Sequence, residues 1–381
     1  MWKISTLGDI CKMYQPQTLS KKKMNDNGKF FVYGANGVIG KYDKYNHSEP
    51  QLIVGCRGTC GSVNITRPFS WISSNAMVIQ PDTNKVSLKY MEYIFKGGID
   101  LSKVITGSAQ PQITRQSLYS IKFSYPSLIE QKHITDKIDV AFAEIDKIIN
   151  TSKKKITNIE SIYDSFLTSV YEKCKITSGY QEKTFGNIIE TLTDYHANGS
   201  YQILKKHVKL KNEKDFAYMV RSTDFEKNFK NDKRYISKAS YEFLAKSKVF
   251  GGEIIMSKIG NAGKIYLMPK ISYPCSLAMN LFLIKLDKSQ SDNEFIYNFL
   301  KSKSGKIQIA HRIRGAATQT ITKDNVRSIK VPLVKKELQK KIVSKIYTMR
   351  ENTTKIKNNY IKKIDLLFRL KQALLLNLVH S

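Results

Sequence analysis

The chain is short of acidic residues and of cysteine, and it has no long apolar run. Only 32 Asp and Glu stand against 63 Lys and Arg in 381 residues, a formal charge of +31. So large an excess repels itself and is tolerated mainly beside a polyanion. Nucleic acid is the commonest such partner and an anionic membrane surface the rival; a Lys-rich proteome is the plain alternative. The five cysteines, Cys11, Cys56, Cys60, Cys174 and Cys275, are odd in number and scattered, which argues against a disulfide framework. No second Cys or His pair follows Cys56 and Cys60 to complete a zinc site, so no metal is expected. Reduced thiols fit a cytoplasmic protein. Without a run of about 20 apolar residues, no transmembrane helix and no membrane partner are expected. The most apolar tail, 366–379, is broken by Arg369 and Lys371 and reads as an amphipathic helix. The opening Met1-Trp2-Lys3-Ile4-Ser5 carries no secretory signal.

Catalytic signatures are missing as well. There is no Asn/Asp-Pro-Pro-Tyr/Phe motif of amino-methyltransferases and no His-Glu-x-x-His. Gly260-Asn261-Ala262-Gly263-Lys264 has the wrong spacing for a phosphate loop. The six His, at 47, 133, 196, 207, 311 and 380, do not pair at ligand spacing. These absences point to a chain with no catalytic residues and no cofactor of its own. With 41% apolar residues, it nevertheless has the composition and length for two or three folded domains.

What the sequence does have is an internal repeat. Gly107-Ser108-Ala109-Gln110-Pro111-Gln112-Ile113-Thr114 recurs as Gly315-Ala316-Ala317-Thr318-Gln319-Thr320-Ile321-Thr322, an offset of 208. Leu118 and Ile121 match Val326 and Ile329, Pro126 has a counterpart in Pro332, and Gln131-Lys132-His133-Ile134 matches Gln339-Lys340-Lys341-Ile342. Upstream, Gly58-Thr59-Cys60-Gly61 resembles Gly260-Asn261-Ala262-Gly263, each behind an apolar strand-like run. Thr6-Leu7-Gly8-Asp9-Ile10 resembles Thr184-Phe185-Gly186-Asn187-Ile188. The second copy carries roughly 24 extra residues between these anchors.

Each copy opens with strand-like alternation and Gly-rich turns, as in Phe30-Phe31-Val32-Tyr33-Gly34-Ala35-Asn36-Gly37, with helical stretches between. Each then closes with a long helix. Ile134, Ile138, Ala141, Ile145, Ile148, Ser152, Ile159, Ile162 and Phe166 fall on steps of four and three, and the series 342, 346, 349, 353, 356, 360, 367, 370 and 374 maps onto it by 208. Neither helix contains Pro or Gly. This predicts a coiled-coil seam used twice, in rods of roughly 65 Å. The nearest partner for each stripe is the other copy's helix, in an antiparallel pair; two helices packed separately, each on its own domain, is the alternative.

The pattern as a whole resembles the specificity subunits of type I restriction-modification systems. The resemblance rests on a mixed domain ending Gly-x-x-Gln/Thr-x-x-Ile-Thr, then an apolar-Pro segment (Tyr125-Pro126-Ser127-Leu128; Val331-Pro332-Leu333), then Gln-Lys-x-Ile opening a long helix, all of it duplicated. Tyr33-Gly34-Ala35-Asn36-Gly37-x-x-Gly40 also looks like that family's first-half domains. One departure is Glu337-Leu338-Gln339, where the family usually has adjacent Glu-Gln. The resemblance implies an α+β protein: two α/β target recognition domains, at 1–126 and 179–332, separated by a long antiparallel two-helix coiled coil, at 127–178 and 333–381, with an internal pseudo-two-fold repeat. It implies double-stranded DNA as ligand, two methyltransferase (modification) subunits and restriction (translocase-nuclease) subunits as partners, and the methyl donor and ATP on those partners.

Candidate DNA contacts follow from chemistry: forked donors and hydroxyls for base edges, lysines for phosphates. In the first copy these are Arg57 and Thr59, then Ser73, Ser74 and Asn75, then Gln110, Gln112 and Arg115, with Lys21, Lys22 and Lys23 for phosphates. In the second they are Arg221, Lys258, Asn261, Arg312, Arg314, Gln319 and Thr320. The structural reading of the same segments is that the repeated glycines serve positive-φ turns and that Thr114 and Thr322 cap helices. Two other functions would leave different traces. A self-contained DNA-modifying enzyme needs a motif absent here; a structural coiled-coil protein on anionic surfaces needs no repeated globular domains.

Overall fold

The computed structural model describes residues 2–107, 110–230 and 232–380, with helix assignment but no side-chain description for 378–380. Ser108 and Ala109 of the repeated glycine motif, and the first Met, lie outside the described residues. The chain divides into two compact units: residues 1–155 with 359–381, and residues 156–358. Helix α1 (Leu128–Lys175) and helix α2 (Lys336–His380) each contribute one part to either unit. The units thus cut across the expected boundaries, which kept each helix whole.

In the first unit an antiparallel sheet runs in the order Cys11–Tyr14, Ala76–Pro81, Leu52–Gly55, Val63–Ile65. A second sheet joins Gly37–Tyr42 to Phe30–Gly34, and Phe30–Gly34 pairs parallel with Trp71–Ile72. Lys3–Thr6 pairs with Lys122–Tyr125 and ties the start of the domain to its end. The second unit repeats this plan. Its antiparallel sheet orders Ile189–Asp194, Leu281–Leu286, Ile254–Ser257, Ile265–Leu267. Its second sheet contains the parallel pair Ala217–Val220 with Cys275–Leu277, and Gln181–Thr184 closes on Lys330–Leu333. The domains expected as α/β are therefore mixed helix-and-sheet units in which antiparallel ladders dominate. The unbroken apolar runs Leu52-Ile53-Val54 and Ile254-Ile255-Met256 are fully buried because both sheet faces are covered.

Each unit buries parts of both long helices. Ile138 of α1 and Leu375 of α2 enter the first unit's core; Leu167, Tyr171 and Cys174 of α1 and Ile342 and Ile346 of α2 enter the second's. The helical segments run antiparallel within each. In the first unit Lys371 pairs with Asp146 at 2.6 Å and Lys155 lies 5.6 Å over the Tyr360 ring. In the second, Arg350 Nε donates to Tyr163 Oη at 3.2 Å and Lys357 pairs with Glu160.

The buried stripe departs from the expected seam. Of the predicted members, Ile148, Ile162, Ile356 and Leu370 are 37 to 55% exposed. In α1 the predicted members Ile138, Ile145 and Ser152 are buried, and Gln131, Thr135, Ile149, Leu167, Tyr171 and Cys174, outside the predicted series, are buried with them. The physical reason is the period: an α-helix turns every 3.6 residues, so a strict 3.5-residue series drifts around a straight helix by about 20° per heptad.

The repeated Gln is a structural anchor. Gln131 and Gln339 are both fully buried. Gln131 Nε2 donates to the Lys85 and Pro126 carbonyls at 2.8 and 2.9 Å, and its Oε1 accepts from the Ser87 amide at 2.9 Å. Gln339 Nε2 donates to the Gln290 and Val334 carbonyls at 3.0 and 2.9 Å, and its Oε1 accepts from the Asp292 amide at 2.8 Å. Ser87 and Asp292 are the N-caps of the helices Leu88–Tyr93 and Asn293–Lys301. One amide side chain thus ties the long helix to a domain helix in either unit.

Candidate nucleic-acid interface

The two glycine loops that the repeat singles out meet in each unit. In the first, the Gly55–Gly61 loop closes on itself through Gly61 N–H to the Gly55 carbonyl at 2.8 Å. Its Cys56 carbonyl accepts from the Ile113 amide at 3.0 Å, and Arg57 bridges Gln112. The Cys56 and Arg57 amides donate to the Asn75 carbonyl at 2.9 and 3.3 Å. Arg57, Thr59 and Asn75 therefore stand together, and with Lys21 and Asn36 they line a concavity of about 690 Å³. Burial pushes the Cys56 thiol up, while a hydrogen bond from Gln15 and the Arg57 charge oppose that rise.

The same construction recurs in the second unit. The Gly260 amide donates to the Gln319 carbonyl at 3.0 Å, the Ile321 amide to the Lys258 carbonyl at 3.1 Å, and the Lys258 amide to the Asn280 carbonyl at 2.7 Å. Arg314 and Thr320 exchange two backbone bonds at 2.9 and 2.8 Å. Lys258, Asn261, Arg314, Gln319 and Thr320 thus share one loop cluster. Gly107 and Gly315 have φ of +86° and +92°, and a Cβ there would meet the Gln110 or Thr318 carbonyl. Thr114 and Thr322 cap short helices, accepting from Ser117 and Asn325 amides at 3.1 and 3.2 Å. The glycine and threonine positions of the motif therefore build the turn, and the residues between them carry what it presents.

The other candidates fall elsewhere. Lys21, Lys22 and Lys23 form one exposed 3-10 turn, of which Lys21 reaches the concavity. Ser73 is buried, its amide held by the Tyr33 carbonyl at 2.9 Å. Ser74 shares a 2.6 Å hydroxyl hydrogen bond with Thr18. Gln110 and Arg115 are exposed, Arg115 lying 5.8 Å over Tyr119. In the second unit, several cations are already engaged. Arg221 forms a fork with buried Asp224 at 2.8 and 3.1 Å and also donates to the Asp232 carbonyl. Arg312 makes three bonds, to Ser328 Oγ, the Gln308 carbonyl and the Ser328 carbonyl. Lys258 Nζ lies 2.9 Å from Asp194. Burial works against ionisation of Asp194, but the hydrogen bond and charge of Lys258 prevail and hold its carboxyl below the usual range.

Two residues of these loop clusters escape sequence reading. Asn280, at φ +67°, occupies the place in the second unit that Asn75 has in the first. The signal was the shared Asn-apolar run, Asn75-Ala76-Met77-Val78-Ile79 against Asn280-Leu281-Phe282-Leu283-Ile284. Asn36, at the hairpin tip, accepts from Ser62 Oγ at 2.8 Å and stood inside the glycine-rich turn.

Among the described residues no cluster of metal-ligating side chains occurs, and no helix is long and apolar enough to cross a membrane.

Comparison with known proteins points one way. Residues 1–158 and 176–366 match the family described as type I restriction modification DNA specificity domain. A Methanocaldococcus jannaschii protein assigned as the type I restriction enzyme MjaX specificity subunit is 23% identical over 292 residues; the match covers 71% of this chain and 63% of that relative's own length. In fold, the chain matches a solved chain described under complex assembly and conformational transition of the type I R-M system: TM-score 0.75, 13% identity, 99% of this chain and 97% of that one. The HsdS subunit from Thermoanaerobacter tengcongensis follows with a TM-score of 0.55, 14% identity and coverage of 100% and 97%. With two matched stretches spanning nearly its whole length, the chain belongs to the type I restriction-modification DNA specificity family.

Proposed function

We propose that the chain reads a split DNA target, one element per unit, and directs adenine methylation and restriction by partner subunits. The observation that carries this reading is the loop pair built at the same place in each unit, presenting Arg57, Thr59, Asn75 and Gln112 in one and Asn261, Arg314, Gln319 and Thr320 in the other. The side chains differ while the frame is kept, which suits two different sequences read by one construction. The charge of +31 suits a duplex.

In this reading α1 and α2 form the antiparallel coiled-coil spacer of a pseudo-two-fold repeat and fix the gap between the two elements. They also dock two modification subunits, and restriction subunits join that core. The exposed apolar positions Ile148, Ile162, Ile356, Leu370 and Phe368 support such docking, because apolar residues along a helix favour packing against further helices. Methyl donor and ATP bind the partners, and the chemistry on the extruded adenine occurs there. The assembly works in the cytoplasm.

The experiment is methyl transfer to duplex DNA by the purified chain, by the modification subunits, and by both together. Transfer only in the mixture, at one sequence, is expected; robust transfer by the chain alone would overturn the proposal. Retention on anionic liposomes without DNA binding would favour a surface-binding role instead.

A further inference from the structure

The second unit holds a cavity of about 480 Å³ walled by α1, α2 and the helix Asn293–Lys301. Arg350 lies at its wall, half-buried. Its Nη2 donates to Asn298 Oδ1 at 2.6 Å and its Nε to Tyr163 Oη at 3.2 Å. Both partners are neutral. The two carboxylates in the lining are taken by lysines: Asp164 by Lys306 at 3.6 Å and Glu160 by Lys357. Lys301 adds a further cation. Glu294 favours the Arg350 charge through space, but no direct ion pair to Arg350 occurs among the described residues; a partly desolvated guanidinium left without one costs free energy that a purely structural contact does not require.

The internal repeat shows what is missing. At the offset of 208, Arg350 corresponds to Phe142, Tyr163 to Lys371 and Thr354 to Asp146. In the first unit Lys371 lies 4.7 Å over the Phe142 ring and pairs with Asp146 at 2.6 Å. The cation–aromatic pair is kept in the second unit with the residue types exchanged between the two repeat-related positions, so that the cation stays on α2 and the aromatic on α1. The carboxylate that neutralises it is not kept: its place is Thr354, in the cavity lining.

We propose that the Arg350 cavity is a binding site for a phosphate group. The donors left on the guanidinium suit a tetrahedral oxyanion, and four cations against two carboxylates favour a dianion over a single carboxylate. The volume admits an ester and not only the bare ion. The source is a free phosphate ester or the backbone of DNA, and the proposal stands apart from the reading of bases by the loops.

The test is Thr354→Asp, which restores the first unit's carboxylate beside Arg350. Asn358→Asp, at an exposed position on the same helix, makes the same charge change outside the cavity and is the control. The full chain is titrated with inorganic phosphate at fixed ionic strength, and its affinity for a duplex is measured against salt. For a free ester, Thr354→Asp weakens phosphate binding at least tenfold against the control while the DNA salt slopes coincide. For a DNA phosphate, its slope is shallower than the control's by about 0.9. The combined Arg350→Phe, Tyr163→Lys, Thr354→Asp variant, which transplants the first unit's arrangement, gives the same result through a packing already present in this protein. Equal phosphate binding together with equal slopes in variant and control overturns the proposal.

Discussion

A single amide side chain does the same work twice in this protein. Gln339 satisfies two carbonyls and one N-cap amide in a fully buried setting. Gln339→Ala strands all three and is expected to destabilise the second unit by about 3 kcal/mol, read as a lower denaturant midpoint; Gln131→Ala does the same to the first. The sequence marks both positions as repeated, but repetition does not say whether a polar residue reads DNA or holds a helix, because that depends on burial. The same limit applies to Arg221 and Arg312, whose forked donors fit a base edge as well as they fit Asp224 and Ser328. The Asp194–Lys258 pair has a pH signature. Because the folded carboxyl titrates below its unfolded value of about 4, its stabilising contribution is complete above that value and is lost as pH falls through the depressed folded one. Lys258→Ala leaves buried Asp194 unpaired. It should cost about 3 kcal/mol at neutral pH, and the loss relative to the native chain should shrink as acid protonates Asp194. A pH-independent difference in thermal unfolding would contradict this assignment.

At the scale of elements, Gly97 packs closely against Leu375 of α2 in the first unit. A Cβ at position 97 would overlap the Leu375 side chain. Gly97→Ala is expected to cost about 2 kcal/mol by overpacking, and because the atom it meets is the Leu375 Cβ, Leu375→Gly in the same chain should recover part of that loss where two independent changes would add. Full additivity in unfolding experiments would place the strain elsewhere. The long helices were legible in the sequence because nearly fifty residues without Pro or Gly leave little alternative to an amphipathic helix. Which residues face inward was less so. Apolar residues occur on more than one face, and the heptad reading picked Ile148 and Ile162 where the 3.6-residue turn buries Ile149 and Leu167. The glycine loops were legible as turns from their spacing, whereas the joining of the Gly55–Gly61 loop to the distant Gln112 is a tertiary contact that no local pattern encodes.

For the whole molecule, the account is that duplicated loop clusters on a strongly basic chain read DNA and that the paired helices set the gap between the elements. Affinity should fall steeply with salt. Arg57→Ala separates the two kinds of contact. If Arg57 reads a base edge, discrimination at one position relaxes by about 1–3 kcal/mol with the salt slope kept; if it holds a phosphate, the slope falls by about 0.9 for all sequences alike. No change in either would remove Arg57 from the interface. The most direct measurement of the central claim is a genome-wide map of methylated adenines in cells carrying the modification subunits. It compares the native chain with one lacking a heptad from each long helix, Lys153–Ile159 and Lys357–Lys363. The account predicts a two-part motif for the native chain and, for the shortened one, the same two halves with a gap smaller by about three base pairs, since a heptad of helix spans about 10 Å. An unchanged gap, or a single undivided motif, would contradict it.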